Sequence, residues 1–351
     1  MTSIAADTSL HHTLRADRLK PVRIWLWVMA GLVLLMVVVG GATRLTESGL
    51  SITSWRPLSG TIPPLSDADW QAEFEAYKQI PQYTLLNSWM TLDDFKYIFW
   101  WEWAHRFLGR FLGVAFAVPF LVFLVQGRLS RDLALPLGGL FLLGGFQGFL
   151  GWWMVSSGLT ELTSVSQYRL ATHLSAAAVL FCAIVWVARR LERPKLVHAD
   201  ERGAWPVVVL GVALLVQLFW GALVAGLDAG MGYNTWPLMD GAIIPNGLWV
   251  IDPAWRNVFE NNLTVQFIHR MLAYGILAYI ALLLVLRSRT GGFSGVHGWL
   301  PRIGAITVLQ AALGIGTLLM AVPIWMALGH QVLAFMLLGL VTLYVADLTR
   351  R

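Results

Sequence analysis

The chain has 351 residues, of which 57% are hydrophobic and only 13% charged, about half the roughly 25% charge of a soluble domain. That composition excludes an ordinary soluble enzyme and a disordered chain, and the single cysteine, Cys182, excludes an intramolecular disulfide framework. The formal net charge of +5 is scattered between apolar runs, so no nucleic acid is expected as a partner and a polytopic membrane protein remains.

Windows of about 20 apolar residues, the length that crosses a ~30 Å hydrocarbon core, predict eight spans. They run over 24–43, 106–126, 133–155, 168–188, 204–226, 265–286, 300–321 and 324–347. Arg15, Arg18, Lys20 and Arg23 precede the first apolar run as they would in a signal peptide, but the run is long for an h-region. The largest soluble piece is the 44–104 loop. Within it Trp70, Phe74 and Tyr77 recur at helical spacing among Asp67, Asp69, Glu73 and Glu75, predicting a short helix on the outer surface. Thr91 with Asp94 three residues on resembles a capping box. The second span is therefore expected to begin near Leu92 and run about 35 residues, roughly 50 Å at 1.5 Å per residue, with its first turns standing proud of the lipid. Trp100, Trp101, Trp103, Trp152, Trp153, Trp236, Trp249 and Trp255 fall near the outer boundary, as in an aromatic belt.

Eight spans return the chain to its starting side. That side, with both ends and the 2–3, 4–5 and 6–7 loops, carries sixteen of the 25 basic residues, including Arg189, Arg190, Arg193 and Lys195, but only seven of the twenty acidic ones. By the positive-inside rule both termini are cytoplasmic.

The second half of the chain repeats the first. Gly40, Gly49, Trp55, Gly60 and Pro64 recur 181 residues later as Gly221, Gly230, Trp236, Gly241 and Pro245. The segment HRFL at His105 recurs 164 later as HRML at His269; Gln147, Leu150 and Gly151 recur 163 later as Gln310, Leu313 and Gly314; His173 recurs 157 later as His330. The expected architecture is all-α, two tandem parallel four-helix bundles related by a pseudo-two-fold axis along the membrane normal. Its parts are a cytoplasmic segment 1–23, a first unit 24–190, a cytoplasmic linker 191–203 and a second unit 204–351.

Of the eight histidines, His11, His12, His198 and His297 sit in cytoplasmic segments and are read as solvated. The other four lie within spans, and these are the ones the duplication repeats: His105 and His269 start the second helix of each unit, His173 and His330 the fourth. All four fall in one layer near the outer face, and ionisable groups placed in lipid are usually functional. Two imidazoles approaching from opposite helices of a bundle suit haem iron, so two haem sites are expected. A hydrogen-bonded core histidine is the plainer reading of each. Zinc or copper fits less well, with no thiolate nearby and only one first-half carboxylate within reach. Arg106 and Arg270, which follow two of the histidines, could pair with haem propionates or snorkel to the interface. One difference separates the halves. Glu102 shares a helix face with His105 at i, i+3, whereas the position beside His269 is Gln266. A carboxylate there can take a proton or steady a developing cation; the plainer reading is a salt bridge to Arg106 or Arg110. From this asymmetry the first unit is expected to perform chemistry on what it binds, and the second to store and pass electrons.

The segments LDDFKYIFWWEWAHRFLGR, GGATRLTESGLSITSWRPLSG, ATHLSAA, VQFIHRMLAY and LGHQVLAF together resemble the haem A synthase family, over essentially all eight spans. The resemblance implies oxidation of the C8 methyl of haem O to a formyl, through successive hydroxylations and loss of water, giving haem A for terminal oxidases. It further implies that His105 and His173 form the substrate-haem site, that Glu102 is required for turnover, and that His269 and His330 hold a haem B cofactor. It places the chain in the bacterial inner membrane with its haems near the periplasmic side, drawing haem O from the bilayer and passing electrons to an acceptor that no residue identifies. Haem O synthase and cytochrome oxidase assembly follow as pathway partners. Some members carry a cysteine pair in the first outer loop; this chain has none there, and so resembles the alphaproteobacterial and mitochondrial branch.

Two other readings stay open on sequence. One is a di-haem b-type cytochrome that only relays electrons; the other is a duplicated transporter with histidine proton relays, against which stands the lack of Pro/Gly-broken helix pairs at corresponding positions. Oligomeric state is open too, because a small-residue stripe of Gly138, Gly139, Gly144, Gly145 and Gly148 can pack helices within a subunit or between subunits.

Overall fold

The computed structural model describes residues 2–57, 59–160, 162–192 and 201–349, with side chains for all of these except 2–17 and 201–202. The expectations for His11, His12, Arg15, Arg193, Lys195 and His198, and for most of the linker, concern side chains outside that range.

The described chain is helical, with one isolated bridge between Met239 and Ala242 as its β structure. In order the helices are α1 (Thr2–Leu45), α2 (Asp67–Tyr77), α3 (Leu92–Val125), α4 (Arg131–Ser156), α5 (Gln167–Arg190), α6 (Glu201–Gly226), the short α7 (Asn257–Glu260), α8 (Asn262–Thr290), α9 (Trp299–Leu319) and α10 (Ile324–Leu348). All but α2 and α7 are long and apolar enough to cross a membrane, eight in total among the described residues. Each coincides with an expected span. Most extend beyond it, because apolar content marks only the part in lipid while the backbone ladder continues further; α3 and α9 stop one and two residues short, at Val125 and Leu319.

The expected capping signal forms. Asp94 Oδ2 accepts from the Thr91 N–H at 2.9 Å and the Thr91 hydroxyl at 2.6 Å, starting α3 at Leu92 for 34 residues. Ser66 and Asp69 do the same for α2. That short helix does not simply lie on the surface. Phe74 stacks on Phe95 at 5.1 Å and Trp70 meets Phe99 edge-on at 4.9 Å, so a buried aromatic cluster with Tyr77, Ile98 and Leu50 fixes the outer loop to the first turns of α3. Burial pushes the Tyr77 phenol above its ordinary value.

Packing among the eight long helices closes two rings. One runs α1, α3, α4, α5 and back to α1; the other runs α6, α8, α9, α10 and back to α6. We read these rings as the two units proposed from the repeat. Between them α5 packs on α6, α10 on α1, and α5 on α10, with Phe181 against Phe335 at 5.9 Å in that last contact. Ion pairs tie the rings at both faces. Arg44 donates to both oxygens of Asp228 at 2.9 Å, and Arg189 donates to Asp347 through Nε and Nη2 at 2.8 Å each.

The reading of His297 as solvated changes. His297 is half-buried, and its Nδ1 stands 2.9 Å from the Tyr344 hydroxyl, because the short turn at 295–298 packs on the end of α10. The glycine stripe of α4, open on sequence to packing within or between subunits, faces open space at Gly139, Gly144, Gly145 and Gly148, where a Cβ would meet no atom within 4 Å, while a Cβ on Gly138 would stand 4.0 Å from Phe120 of α3.

Candidate functional site

The four span histidines share one local construction. Each imidazole lies over a glycine of the preceding long helix. A Cβ would stand 3.2 Å from His105 Nε2 if placed on Gly40 and 3.4 Å from His173 Cε1 if placed on Gly151. The corresponding distances are 3.1 Å from His269 Cε1 for Gly221 and 2.7 Å from His330 Cε1 for Gly314. At Gly40, Gly221 and Gly314 a side chain would crowd the ring, whereas at Gly151 a Cβ would make an ordinary contact with it. His105 and His173 lie close enough for a charge on one to be felt by the other, and so do His269 and His330. All four are half-buried. Among the described residues no three His, Cys, Asp or Glu side chains cluster to hold a bare metal ion. Pairs of imidazoles suit a metal whose remaining ligands come with it, as in a porphyrin. Several buried polar atoms of these helices lack a protein partner: Nδ1 of His173 and His330, both amide atoms of Gln147, and the amide oxygens of Gln217 and Gln310. A ligating histidine has its second nitrogen to satisfy. The residues therefore fit two haems.

Glu102 is 2% exposed and four donors converge on it. Oε2 accepts from the Ser51 hydroxyl and the Ile52 N–H, each at 2.8 Å. Oε1 accepts from Arg106 Nε at 2.9 Å and Nη2 at 2.6 Å. The salt bridge to Arg106 is thus present. Arg110 turns away, donating to the carbonyls of Pro57 and Arg56. In the second half Gln266 Oε1 accepts from Arg270 Nη2 at 3.0 Å, while its amide nitrogen donates to the carbonyls of Ala229 and Gly232. The carboxylate receives hydrogens from its loop and the amide gives them, so exchanging one for the other reverses the polarity of the contact.

Arg106 and Arg270 sit beside the histidines and clamp the loop that follows the first helix of each half. Arg106 donates to the carbonyls of Ile52 at 2.7 Å and Ser54 at 3.0 Å. Arg270 donates to those of Tyr233 and Thr235 at 2.8 Å each. These acceptors are again 181 residues apart. The sequence reading missed this duty, since a backbone carbonyl carries no residue signature; the constant offset was the available signal. It also missed a spacing shared by three of the four glycines. Gln147, Gln217 and Gln310 each precede theirs by one turn, and the fourth position holds Met36.

The COX15-CtaA family, described as "Cytochrome oxidase assembly protein", matches residues 23–342. A protein of Rhodopseudomonas palustris (strain BisB5) named "Heme A synthase" is 53% identical over 341 residues, covering 96% of this chain and 93% of its own length. One of the same name from Bradyrhizobium diazoefficiens is 53% identical, covering 100% and 96%. Another from Azorhizobium caulinodans is 53% identical, covering 95% of each.

Proposed function

The chain belongs to the COX15-CtaA family of cytochrome oxidase assembly proteins, and from that premise we propose that it has the activity its relatives are named for, converting haem O to haem A in the bacterial inner membrane. The observation that carries this reading is the set of four imidazoles, each seated over a glycine, two per helix ring, with a buried carboxylate beside only one pair. The relatives' names lend nothing to an electron-relaying cytochrome.

In this reading His105 and His173 bind the iron of haem O, which arrives from the bilayer, and the reacting group is its C8 methyl. His269 and His330 would hold a haem B, which when bound supplies one-electron acceptance. Glu102 places a negative charge where positive charge develops as the methyl group loses electrons. Arg106 keeps Glu102 and the loop at Ile52 and Ser54 in one arrangement. Gly41 joins the sites: a Cβ there would stand 2.6 Å from Gln331 Oε1, so the residue next to Gly40 touches the residue next to His330 across α1 and α10. Such close approach favours electron passage between the units.

Both termini are cytoplasmic in this scheme, with the haems towards the periplasmic side. The test is expression in a host that makes haem O but lacks haem A. Chromatography of acid-extracted haem should reveal haem A and a hydroxylated intermediate, and haem O or haem B alone would refute the assignment.

A further inference from the structure

The two rings hold their histidines differently. In the second, Gln217 donates its amide hydrogens to the backbone carbonyl of His269 at 3.0 Å and lies against the ring, 3.1 Å from Nδ1 and 3.3 Å from Nε2. Gln310 donates to the carbonyl of His330 at 2.9 Å and stands 3.5 Å from the ring Nε2. Both come from the helix that also carries the supporting glycine, one turn earlier. Each histidine is therefore gripped from a single side: the glycine sets the ring's depth, and the glutamine tethers the backbone that carries it.

Neither tether exists in the first ring. Position 36, which corresponds to Gln217 at the 181-residue offset, is Met36, and its methyl packs near Gly109, at 3.3 Å from where a Cβ would be. Gln147 corresponds to Gln310, yet its buried amide nitrogen and oxygen bond to nothing in the protein. One ring has both tethers closed; the other has none. A site that must take in substrate and release product needs ligands that can let go, and a resident cofactor needs ligands that cannot.

We propose that Gln217 and Gln310 are positioning residues that lock the axial histidines of a resident haem, and that Met36 and the untethered Gln147 leave His105 and His173 able to release theirs. This rests on the reading that both histidine pairs bind haem. It also assigns the amide oxygen of Gln217: were the ring to give Nε2 to iron, Nδ1 would carry a hydrogen, and the partnerless Gln217 oxygen is an acceptor on the amide already 3.1 Å from it.

The experiment uses detergent-solubilised holoprotein from a haem O-producing host, challenged with excess apomyoglobin, the transferred haem being identified by chromatography. In the parent chain haem O or haem A should leave well before haem B. Gln217→Met should speed haem B transfer by about tenfold or more, the scale seen when a ligand's supporting hydrogen bond is removed. It should also shift the low-spin ferric EPR signal of that haem, which a loss of packing alone would not move. Gln217→Glu, which supplies an acceptor for Nδ1 but cannot donate to the His269 carbonyl, should return the signal towards the parent while haem B transfer stays fast. The reciprocal Met36→Gln should slow release from the first site, and decides the matter if Gln217→Met does not assemble. Haem B transfer within about twofold of the parent together with an unshifted EPR signal, or Met36→Gln without effect on first-site release, would overturn the proposal. Protein purified with no haem at all would overturn the functional reading as well.

Discussion

Gly314 supports His330 so closely that a Cβ on it would stand 2.7 Å from the imidazole Cε1, a separation no real Cβ contact sustains. Gly314→Ala must therefore push His330 away, at a cost of about 1–3 kcal/mol for overpacking, against roughly 1 kcal/mol gained in helix propensity. Gly151→Ala meets His173 at 3.4 Å, an ordinary contact, so it should be neutral or slightly stabilising. Haem content per chain by pyridine haemochrome should fall for Gly314→Ala and hold for Gly151→Ala. Equal losses would show that the glycines do not seat the rings.

Replacing Glu102 separates its chemistry from its packing. Glu102→Ala leaves Arg106, Ser51 and the Ile52 N–H without their acceptor, a loss of about 3–5 kcal/mol for a broken buried pair, and the yield of folded protein should drop. Glu102→Gln retains one acceptor oxygen but turns an amide NH2 towards donors, so it should fold better than the alanine variant and still bind haem. Both should stop or stall haem A formation. Haem A at parental levels from Glu102→Gln would remove the carboxylate from the mechanism.

Arg270 offers a test of the two duties open to it. Arg270→Lys cannot reach the Tyr233 and Thr235 carbonyls in the same fork, and charged hydrogen bonds of this kind contribute about 1.5–3 kcal/mol each. Hydrogen exchange at 232–240 should accelerate markedly even in preparations without haem. Unchanged exchange there, with haem lost, would instead give Arg270 to the propionates.

Outside the spans, the Arg256 guanidinium donates to Glu260 through Nε at 2.8 Å and holds its carboxyl below the ordinary 4.5; Tyr168 adds a bond at 2.8 Å. A depressed folded value stabilises above the unfolded one and ceases to do so as the pH falls through the folded value. Arg256 is 43% exposed, which caps the contribution at about 1 kcal/mol. The difference in unfolding temperature between the parent and Glu260→Gln should be constant near neutrality and vanish in acid. A difference that grew in acid would contradict the assignment.

The spans, the Thr91–Asp94 capping box and the repeated histidines were legible in the sequence because each is written in residue type at fixed spacing. Thr91 and Asp94 are an example: a hydroxyl and a carboxylate three apart have one common use ahead of an apolar helix. The grip of Gln217 on His269 was not legible, since its acceptor is a backbone carbonyl that any residue would present. The same holds for the hold of Arg106 and Arg270 on loop carbonyls, a duty beside the two read from sequence, pairing with propionates or snorkelling to the interface. His297 was placed in solvent for its flanking polarity, while its neighbour Tyr344 lies 47 residues away. Contacts with backbone or across long separations leave no local trace.

The account stands on four imidazoles holding two haems of different kinds, and haem speciation in single histidine variants tests it most directly. His269→Ala and His330→Ala should each lose haem B from the purified chain and keep haem O in the first site. His105→Ala and His173→Ala should keep haem B and contain neither haem O nor haem A. Variants that all retain the parental haems, or that lose both kinds together whichever histidine is replaced while the chain stays folded, would contradict the division into two sites.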